Sequence, residues 1–273
     1  MRAESVRLLF AARSLNDLYG AQPAAAFGPS ALKALRQRLV DDGLGMSTVN
    51  SYVGIVKQVF VWGCEEEIVP VDIAGALKMV KQLQKGRTAA KVYDPVQPVK
   101  DATVEATLRH LKPHYQDMVK VQRLISGRPQ DVFNMRYCDI DQSGDVWKYM
   151  PFDHKTKKRG KVRVLHIGPR AQKILADHLE RCKNDPTGYL FTNCKGGQYT
   201  AGAYGSVIKS ACEKAGVEHW SPNQLRHAGA TEIREKYGLE HAKSVLGHTD
   251  AKTTEIYAKV HDEKAILVAR EIG

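Results

Sequence analysis

Residues 85–100 constrain the fold most, because they show no helical or strand pattern and separate two patterned parts of the chain. The segment KGRTAAKVYDPVQPVK contains two prolines, one glycine and several basic residues, and its apolar residues follow no helical or strand period. Proline lacks the backbone N–H and fixes φ, so such a stretch does not continue a helix or an inner strand. We therefore predict an extended, basic linker at residues 85–100 that joins two domains, residues 1–84 and 101–273.

Length and composition agree with two folded domains. The 273 residues are 43% hydrophobic and 26% charged, which is typical of globular chains and argues against disorder. Lys and Arg number 41 against 30 Asp and Glu, a net charge of +11 that favours a polyanionic partner such as nucleic acid or an anionic membrane surface.

Several classes of protein are excluded at this stage. No apolar run approaches the roughly 18 residues of a membrane span, and the first twenty residues are too charged for a signal peptide. The cysteines are odd in number and scattered, which predicts neither a disulfide framework nor a metal site and favours a reducing cytoplasm. They are Cys64, Cys138, Cys182, Cys194 and Cys212.

The first domain is predicted to contain four or five helices and no strand. Residues 31–42 form a helix-prone string that Gly43 ends, Ser47 is the expected N-cap of the next helix, and residues 72–83 form another. Helical spacing predicts a core-facing stripe of Val49, Val53, Val56 and Phe60.

The second domain is predicted to be mixed. Helices are expected at 104–111 and 114–125, strands at 145–150 and 161–167, and helices again from Pro169 onward. The expected fold class is therefore mainly α with a small β-sheet: an all-helical domain followed by an α+β domain that carries a hairpin or a three-stranded sheet.

Two basic strings in this domain suggest anion binding. Arg128 follows Gly127 at the start of a helix, where the helix dipole favours anions, and Asp131 is placed to brace its guanidinium. Six of the ten residues between His154 and Arg163 are Lys or Arg, which suits contact with a phosphate backbone, although a solvated turn is the common alternative.

A third and a fourth string lie further along the chain. Ser221 and Pro222 predict an N-cap and the first residue of a helix, with Asn223 and Arg226 on one face of it and His227 turned away toward packing or a backbone bond. The pair Gly247-His248 ends a short helix, and Tyr257 follows nine residues later.

Taken in order, Arg128, Lys155, Asn223-x-x-Arg226, Gly247-His248 and Tyr257 resemble the motifs of the tyrosine recombinase (phage-type integrase) family. The resemblance covers nearly the whole chain. It implies a core-binding (SAM-like) DNA-binding domain at 1–84, the linker at 85–100 and a catalytic domain at 101–273.

The resemblance also assigns roles to residues. Tyr257 is the expected nucleophile, with Tyr237 and Tyr204 as reserve candidates. Arg128, Arg226, Asn223 and His248 are expected to clamp the scissile phosphate, and Lys155, with Lys157 in reserve, is the expected general acid. The family commonly has His where this chain has Asn223. Asn donates a hydrogen bond but exchanges no proton, so a general-base role is not expected there.

The implied activity is site-specific DNA recombination through a 3′-phosphotyrosyl intermediate and a Holliday junction. No metal or other cofactor is expected. The expected partners are double-stranded recombination sites, a homotetramer on paired sites, and accessory DNA-bending or excision-direction factors, in the cytoplasm near the nucleoid and away from membranes. The expected DNA contacts are Lys157, Lys158, Arg159, Lys161, Arg163, Arg87 and Lys91.

Three alternatives remain open from the sequence. A type IB topoisomerase-like enzyme would nick and close DNA without exchanging strands, and a DNA-binding member of the family would lack turnover. The apolar face of the C-terminal tail, residues 261–273, with Ile266, Leu267 and Ala269, is predicted to dock either on a neighbouring protomer or within its own domain. No separate arm-binding domain is visible ahead of the first helix, and whether a longer form of the chain carries one stays open.

Overall fold

The structure is a computed structural model that describes residues 3–152, 163–193, 196–246 and 256–273, with side chains given for 5–152, 163–193, 196–246 and 263–273. The chain divides into two compact units, Met1–Pro95 and Val96–Gly273. The predicted class, mainly α with a small β-sheet, is confirmed. No helix in the described ranges is long and apolar enough to cross a membrane.

The described part of the first unit is helical. Its elements are α1 (Ala3–Tyr19), a 3-10 turn (Ala24–Ala26), α2 (Pro29–Asp41), α3 (Met46–Glu65) and α4 (Val71–Lys78).

The predicted core stripe of this unit is confirmed, because Val49, Val53, Val56 and Phe60 are all buried on α3. Gly43 ends the second helix region with a φ of +80°, a conformation that glycine adopts without strain. The prediction of Ser47 as N-cap is wrong: α3 begins at Met46, Gly45 is its N-cap, and no side chain caps it.

Part of the predicted linker belongs to the first unit. The Met46 N–H donates to the Lys91 carbonyl, and Lys91 forms an isolated parallel bridge with Gly45. The Tyr93 ring lies so close to Gly45 that an added Cβ would be 2.5 Å from it. Residues 91–93 therefore contact the start of α3, and no helix or multi-residue strand forms between 85 and 100.

In the described ranges, the second unit contains the small sheet, eight α-helices and a 3-10 turn (Tyr137–Asp139). The helices are α5 (Asp101–Leu108), α6 (Pro113–Leu124), α7 (Pro129–Phe133), α8 (Pro169–Arg181), α9 (Ala201–Ala215), α10 (Asn223–Tyr237), α11 (Leu239–Leu246) and α12 (Ile256–Ile272), and the strands are β1 (Ile140–Asp141), β2 (Trp147–Tyr149) and β3 (Leu165–Ile167).

The sheet is antiparallel with strand order β1-β2-β3. Tyr149 pairs with Ile140 on one side and with Leu165 on the other. Leu165 and Ile167 are buried and anchor the sheet against the helical core of the unit. The strands are shorter than predicted, since the described pairing is confined to three residues of β2 and three of β3.

Helix α12 packs within its own unit. Ala265, Val268 and Ile272 are buried, while Leu267 is 41% exposed. The backbone of α12 approaches Gly168, which follows β3, so closely that a Cβ on Gly168 would be 1.7 Å from the Ala269 carbonyl oxygen. Of the two predicted docking modes for the C-terminal tail, the structure therefore shows the one within its own domain.

One buried polar contact joins α5 to the segment before α10. The Trp220 indole N–H donates to the Thr107 hydroxyl at 3.0 Å, and both side chains are buried. The Thr107 hydroxyl in turn donates to the Thr103 carbonyl.

We expect Thr107→Val to lower the free energy of unfolding by about 1–3 kcal/mol, because the buried indole N–H then has no acceptor. Urea denaturation measures this change. Adding Trp220→Phe removes the orphaned donor, so the double variant should lose less than the sum of the single losses. Additive losses would show that the hydrogen bond contributes nothing.

Candidate active site

Arg226, on the first turns of α10, is held by two backbone carbonyls. Its Nη1 donates to the Ser126 oxygen at 2.9 Å and its Nη2 donates to the Leu246 oxygen at 2.8 Å. The residue is buried, and within the described part of the chain it pairs with no carboxylate. The guanidinium therefore joins the α6–α7 turn, α10 and the end of α11 while keeping its full positive charge.

The turn that presents the Ser126 carbonyl has an unusual backbone. Ser126 has a φ of +49°, in the left-handed region that non-glycine residues rarely adopt. Gly229 of α10 lies directly against it, since an added Cβ would be 2.2 Å from the Ser126 Oγ. The absence of a side chain at Gly229 thus allows α10 to approach the turn closely enough for Arg226 to reach the carbonyl.

Arg128 is the N-cap residue of α7, as predicted for the start of a new helix. The Asp131 carboxylate accepts the Arg128 backbone N–H at 2.7 Å, and the Asp131 N–H donates to the Arg128 carbonyl. The expectation that Asp131 braces the guanidinium of Arg128 is wrong, because the carboxylate holds the backbone. The half-buried Arg128 side chain pairs with no carboxylate among the described residues.

Arg163 belongs to a cluster with Arg128, Asp131 and Arg226, rather than to an exposed hairpin. Its Nη2 donates to Asp131 at 2.6 Å, and the side chains of the pair are only 6% and 5% exposed. Arg163 lies two residues before β3 and is buried, as are Leu165 and Ile167 of that strand. A position on a solvent-exposed phosphate-binding tip, as the sequence suggested for Arg163, is therefore not what the structure shows.

The cluster carries three guanidinium groups against one carboxylate. Burial, then the charges of Arg163 and Arg128, lowers the pKa of Arg226 to about 9. Burial and the charge of Arg163 also lower the pKa of Arg128, partly opposed by Asp131. Both shifts report unfavourable confinement of positive charge, which an anion placed between the two guanidinium groups would relieve.

Asn223 is the first residue of α10 and lies one turn before Arg226. Its amide nitrogen is 3.1 Å from Nε2 of His227, and both side chains are exposed. The expectation that His227 serves packing or a backbone bond is thus wrong.

The predicted start of α10 is one residue early. Pro222 occupies the N-cap position, and the Ser221 backbone N–H donates to the Gln224 side chain.

The structure describes only some of the remaining predicted site residues. The backbone of Tyr257 lies in the first turn of α12, and its side chain is outside the described part. Arg87 and Lys91 are exposed on the first unit. The other predicted residues lie outside the described residues, namely Lys155, Lys157, Lys158, Arg159, Lys161 and His248.

The two reserve nucleophiles are poorly suited to attack. Tyr204 is fully buried, its hydroxyl has no hydrogen-bond partner among the described residues, and burial raises its pKa well above the usual value. The Tyr237 hydroxyl donates to the Glu271 carboxylate at 2.6 Å, and burial followed by this hydrogen bond raises its pKa. A phenol with a raised pKa yields less phenolate, so both are weaker candidates than their sequence position suggested.

No metal site is apparent in the described ranges, where no group of three or more His, Cys, Asp or Glu side chains is arranged to hold an ion.

Comparison with known proteins identifies the family. The sequence model of the phage integrase family matches residues 99–264, which is more than half of the chain. The chain belongs to the phage integrase family of tyrosine recombinases. The family assignment made from the sequence motifs is therefore confirmed, and with it the class of enzyme, one that cleaves and rejoins DNA strands in site-specific recombination.

Similarity to one relative extends beyond the matched domain, and a second relative matches over a shorter stretch. Tyrosine recombinase XerC of Corynebacterium glutamicum is 27% identical over 245 residues, which cover 86% of this chain and 76% of the relative. Tyrosine recombinase XerD of Listeria monocytogenes is 29% identical over 127 residues, covering 42% of each chain.

Solved structures show the same fold. The Tn1549 transposon integrase in complex with transposon right end DNA has a TM-score of 0.72 at 14% identity, over 96% of this chain and 93% of that one. A lambda integrase tetramer bound to a Holliday junction has a TM-score of 0.67 at 12% identity, over 93% of this chain and 74% of that one.

We expect Gly229→Ala in this tyrosine recombinase to lower the free energy of unfolding by about 1–3 kcal/mol, because the new Cβ overlaps Ser126. Displacing the Ser126 carbonyl also releases Arg226, so DNA cleavage should fall further than DNA binding. Urea denaturation and the rate of covalent adduct formation measure the two effects.

Ser126→Gly provides the matched rescue. It removes the Oγ that the new Cβ meets, and glycine tolerates the left-handed φ at this position. The Ser126→Gly, Gly229→Ala double variant should therefore recover stability and cleavage together. If Gly229→Ala alone matches the parent, the close approach of α10 to the turn is unimportant.

Proposed function

We propose that this recombinase cleaves DNA at the arginine cluster of its second unit and rejoins the strands through a covalent phosphotyrosyl link. One observation carries the proposal: Arg128 and Arg226 both pair with no carboxylate in the described part of the chain, although one is half-buried and the other buried. Burying an unpaired cation is costly, and a phosphate diester is the anion that the family's substrate supplies.

Each arginine has a defined task in this reaction. Attack on the phosphate places additional negative charge on the non-bridging oxygens in the transition state. The guanidinium of Arg226 is already fixed by the Ser126 and Leu246 carbonyls, so it needs little reorganisation to meet that charge. Arg128 is fixed through its backbone by Asp131 and extends its guanidinium from the start of α7.

The covalent step is assigned to Tyr257. Its phenolic oxygen would attack phosphorus, forming a 3′-phosphotyrosyl bond while the bond to the 5′-oxygen breaks. The phenol loses its proton to the surroundings, and Lys155 would protonate the departing 5′-oxygen as general acid. Attack of a 5′-hydroxyl from another strand reverses the step and restores the tyrosine, so no metal or ATP is consumed. His248 would complete the clamp.

Asn223 is assigned a hydrogen-bonding role. Its exposed amide, at the first position of α10, can donate to a phosphoryl oxygen close to the positive end of that helix. His227 supports the amide from the next turn at 3.1 Å. The pair thereby fills the place of the family histidine with a neutral donor that a second side chain orients.

The wider assembly follows from the family. The helical unit would act as the core-binding domain and the second unit as the catalytic domain, with Arg87, Lys91, Lys157, Lys158, Arg159 and Lys161 as phosphate contacts. Two duplex sites would be paired by a homotetramer and exchanged through a Holliday junction, with accessory DNA-bending or excision-direction factors, in the cytoplasm at the nucleoid.

We expect Tyr257→Phe to abolish covalent capture of a nicked suicide duplex while leaving duplex affinity within a few-fold. The ring is retained and only the nucleophilic hydroxyl is removed. Denaturing electrophoresis of protein–DNA adducts measures capture, and a mobility-shift titration measures affinity. Tyr237→Phe is the matched control and should still form adducts.

Three results would contradict parts of the proposal. Adducts that persist in Tyr257→Phe would place the nucleophile elsewhere. Cleavage and closure without exchange between two paired sites would indicate a topoisomerase-like activity instead of recombination. A parent protein that binds the duplex but never forms an adduct would be a DNA-binding member without turnover.

For Asn223 we expect Asn223→His to preserve cleavage and Asn223→Ala to lose about 10²-fold, the usual cost of one lost donor in such a site. Single-turnover cleavage between pH 5.5 and 9 measures both. A new pH dependence near the imidazole pKa of about 6.5 in Asn223→His would show that proton transfer limits the rate at this position.

His227→Ala tests whether His227 orients the amide. If it does, this variant should show a smaller loss than Asn223→Ala, and the double variant should lose no more than Asn223→Ala alone. Parent-like cleavage by Asn223→Ala would place residue 223 outside the active site.

A further inference from the structure

We propose that Arg163 is a positioning residue for strand cleavage: by pairing with Asp131 it keeps that carboxylate away from the guanidinium of Arg128. This inference rests on the proposed function, because it concerns the availability of Arg128 to a phosphate. Arg163 itself is not assigned a contact with DNA.

One oxygen atom of Asp131 connects the two arginines. Oδ2 accepts the Arg128 backbone N–H at 2.7 Å and the Arg163 Nη2–H at 2.6 Å. Asp131 thus binds the backbone of Arg128, yet its ion pair is formed with the guanidinium of a different residue. The side chain of Arg128 remains without a carboxylate partner in the described ranges.

Arg163 lies two residues before β3 and continues the alternating burial of that strand. Residues at a spacing of two share one face of a strand, and here Arg163, Leu165 and Ile167 are all buried. The two aliphatic side chains belong to the hydrophobic core of the unit, so β3 anchors the chain two residues after Arg163. Arg163 therefore reaches Asp131 from a segment that β3 anchors on its C-terminal side.

Stability alone does not account for a buried pair of this kind. Removing two charges from water is costly, and well-packed apolar replacements of buried ion pairs are often neutral or stabilising. The Nε of Arg163 is buried and has no hydrogen-bond partner among the described residues, which adds to the cost. The pair is better explained by what it does to its charged neighbours.

Loss of Arg163 would redirect Asp131. The carboxylate would be left buried and unpaired beside Arg128, and both groups would gain by forming an ion pair. Such a pair neutralises Arg128 and draws its guanidinium away from an incoming phosphate. The presence of Arg163 prevents this, because a well-placed partner already occupies Asp131.

The experiment compares single-turnover cleavage at saturating DNA for the parent, Arg163→Gln, and Arg163→Gln combined with Asp131→Asn. We expect Arg163→Gln to lose about 10²-fold in cleavage rate while DNA affinity changes only a few-fold. The double variant should recover at least tenfold of that loss, because the amide introduced by Asp131→Asn can still accept the Arg128 N–H but carries no charge to capture its guanidinium. Arg163→Lys, which keeps a cation for Asp131, should cleave faster than Arg163→Gln.

Arg123→Gln is the matched control. Arg123 pairs with Asp101 and Glu232 elsewhere in the same unit, so its replacement also breaks ion pairs of a partly buried arginine. Its cleavage rate per folded molecule should equal that of the parent. Urea denaturation of every variant separates loss of folding from loss of rate.

Three outcomes overturn the inference. Arg163→Gln that cleaves like the parent shows no role, and a double variant no faster than Arg163→Gln shows that Arg163 acts directly on DNA or only on folding. If Arg163→Gln is too unstable to purify, a double variant that stays about 10²-fold below the parent overturns it equally. A parent without any covalent adduct contradicts the proposed function itself, before any variant is compared.

Discussion

The second unit is organised around the buried positive charge of Arg226, which two backbone carbonyls hold in place. Arg226 donates to the carbonyls of Ser126 and Leu246, and Arg128 is fixed through its own N–H. Carbonyls orient a guanidinium without cancelling its charge, whereas a carboxylate would do both. The turn at Ser126, the glycine at position 229 and the ends of α10 and α11 are all arranged to make these bonds possible.

Asp131 shows how a site can contain an acid without losing its affinity for an anion. The carboxylate caps the first turn of α7 and pairs with Arg163 through the same oxygen. Its negative charge is therefore balanced within the cluster, and the two remaining guanidinium groups carry a net surplus. Electrostatic preorganisation of this type acts before the substrate arrives, since the groups need not move when charge develops.

Much of the fold can be predicted from local patterns in the sequence. The stripe of Val49, Val53, Val56 and Phe60 is a helical repeat, and the break at residues 85–100 is set by proline and glycine. Arg128 and Arg226 stand at helix starts that turn and capping residues reveal. The order of motifs along the chain then indicates the family.

Other parts of the site could not be found this way, for physical reasons. The acceptors for Arg226 are backbone carbonyls, which every residue has, so Ser126 and Leu246 give no side-chain signal. Arg163 stands in a run of basic residues, and such a run predicts an exposed, phosphate-binding tip. The spacing of two from Leu165 and Ile167 indicates instead that Arg163 lies on the buried side. In a strongly basic run, however, the charge pattern is the more prominent signal. His227 was judged by its angle around the helix, whereas its partner lies one turn away on the exposed side.

The close contact between α12 and Gly168 affects the position of Tyr257 at the other end of the helix. Helix α12 spans 17 residues, so it is roughly 25 Å long, with Tyr257 at one end and the contact with Gly168 near the other. Over this length, a tilt of α12 by about 3° displaces its far end by about 1 Å. A misplacement of a catalytic group by about 1 Å can cost about 10²-fold in rate. The position of the Tyr257 backbone therefore depends in part on how tightly α12 packs against Gly168 near the opposite end of the helix.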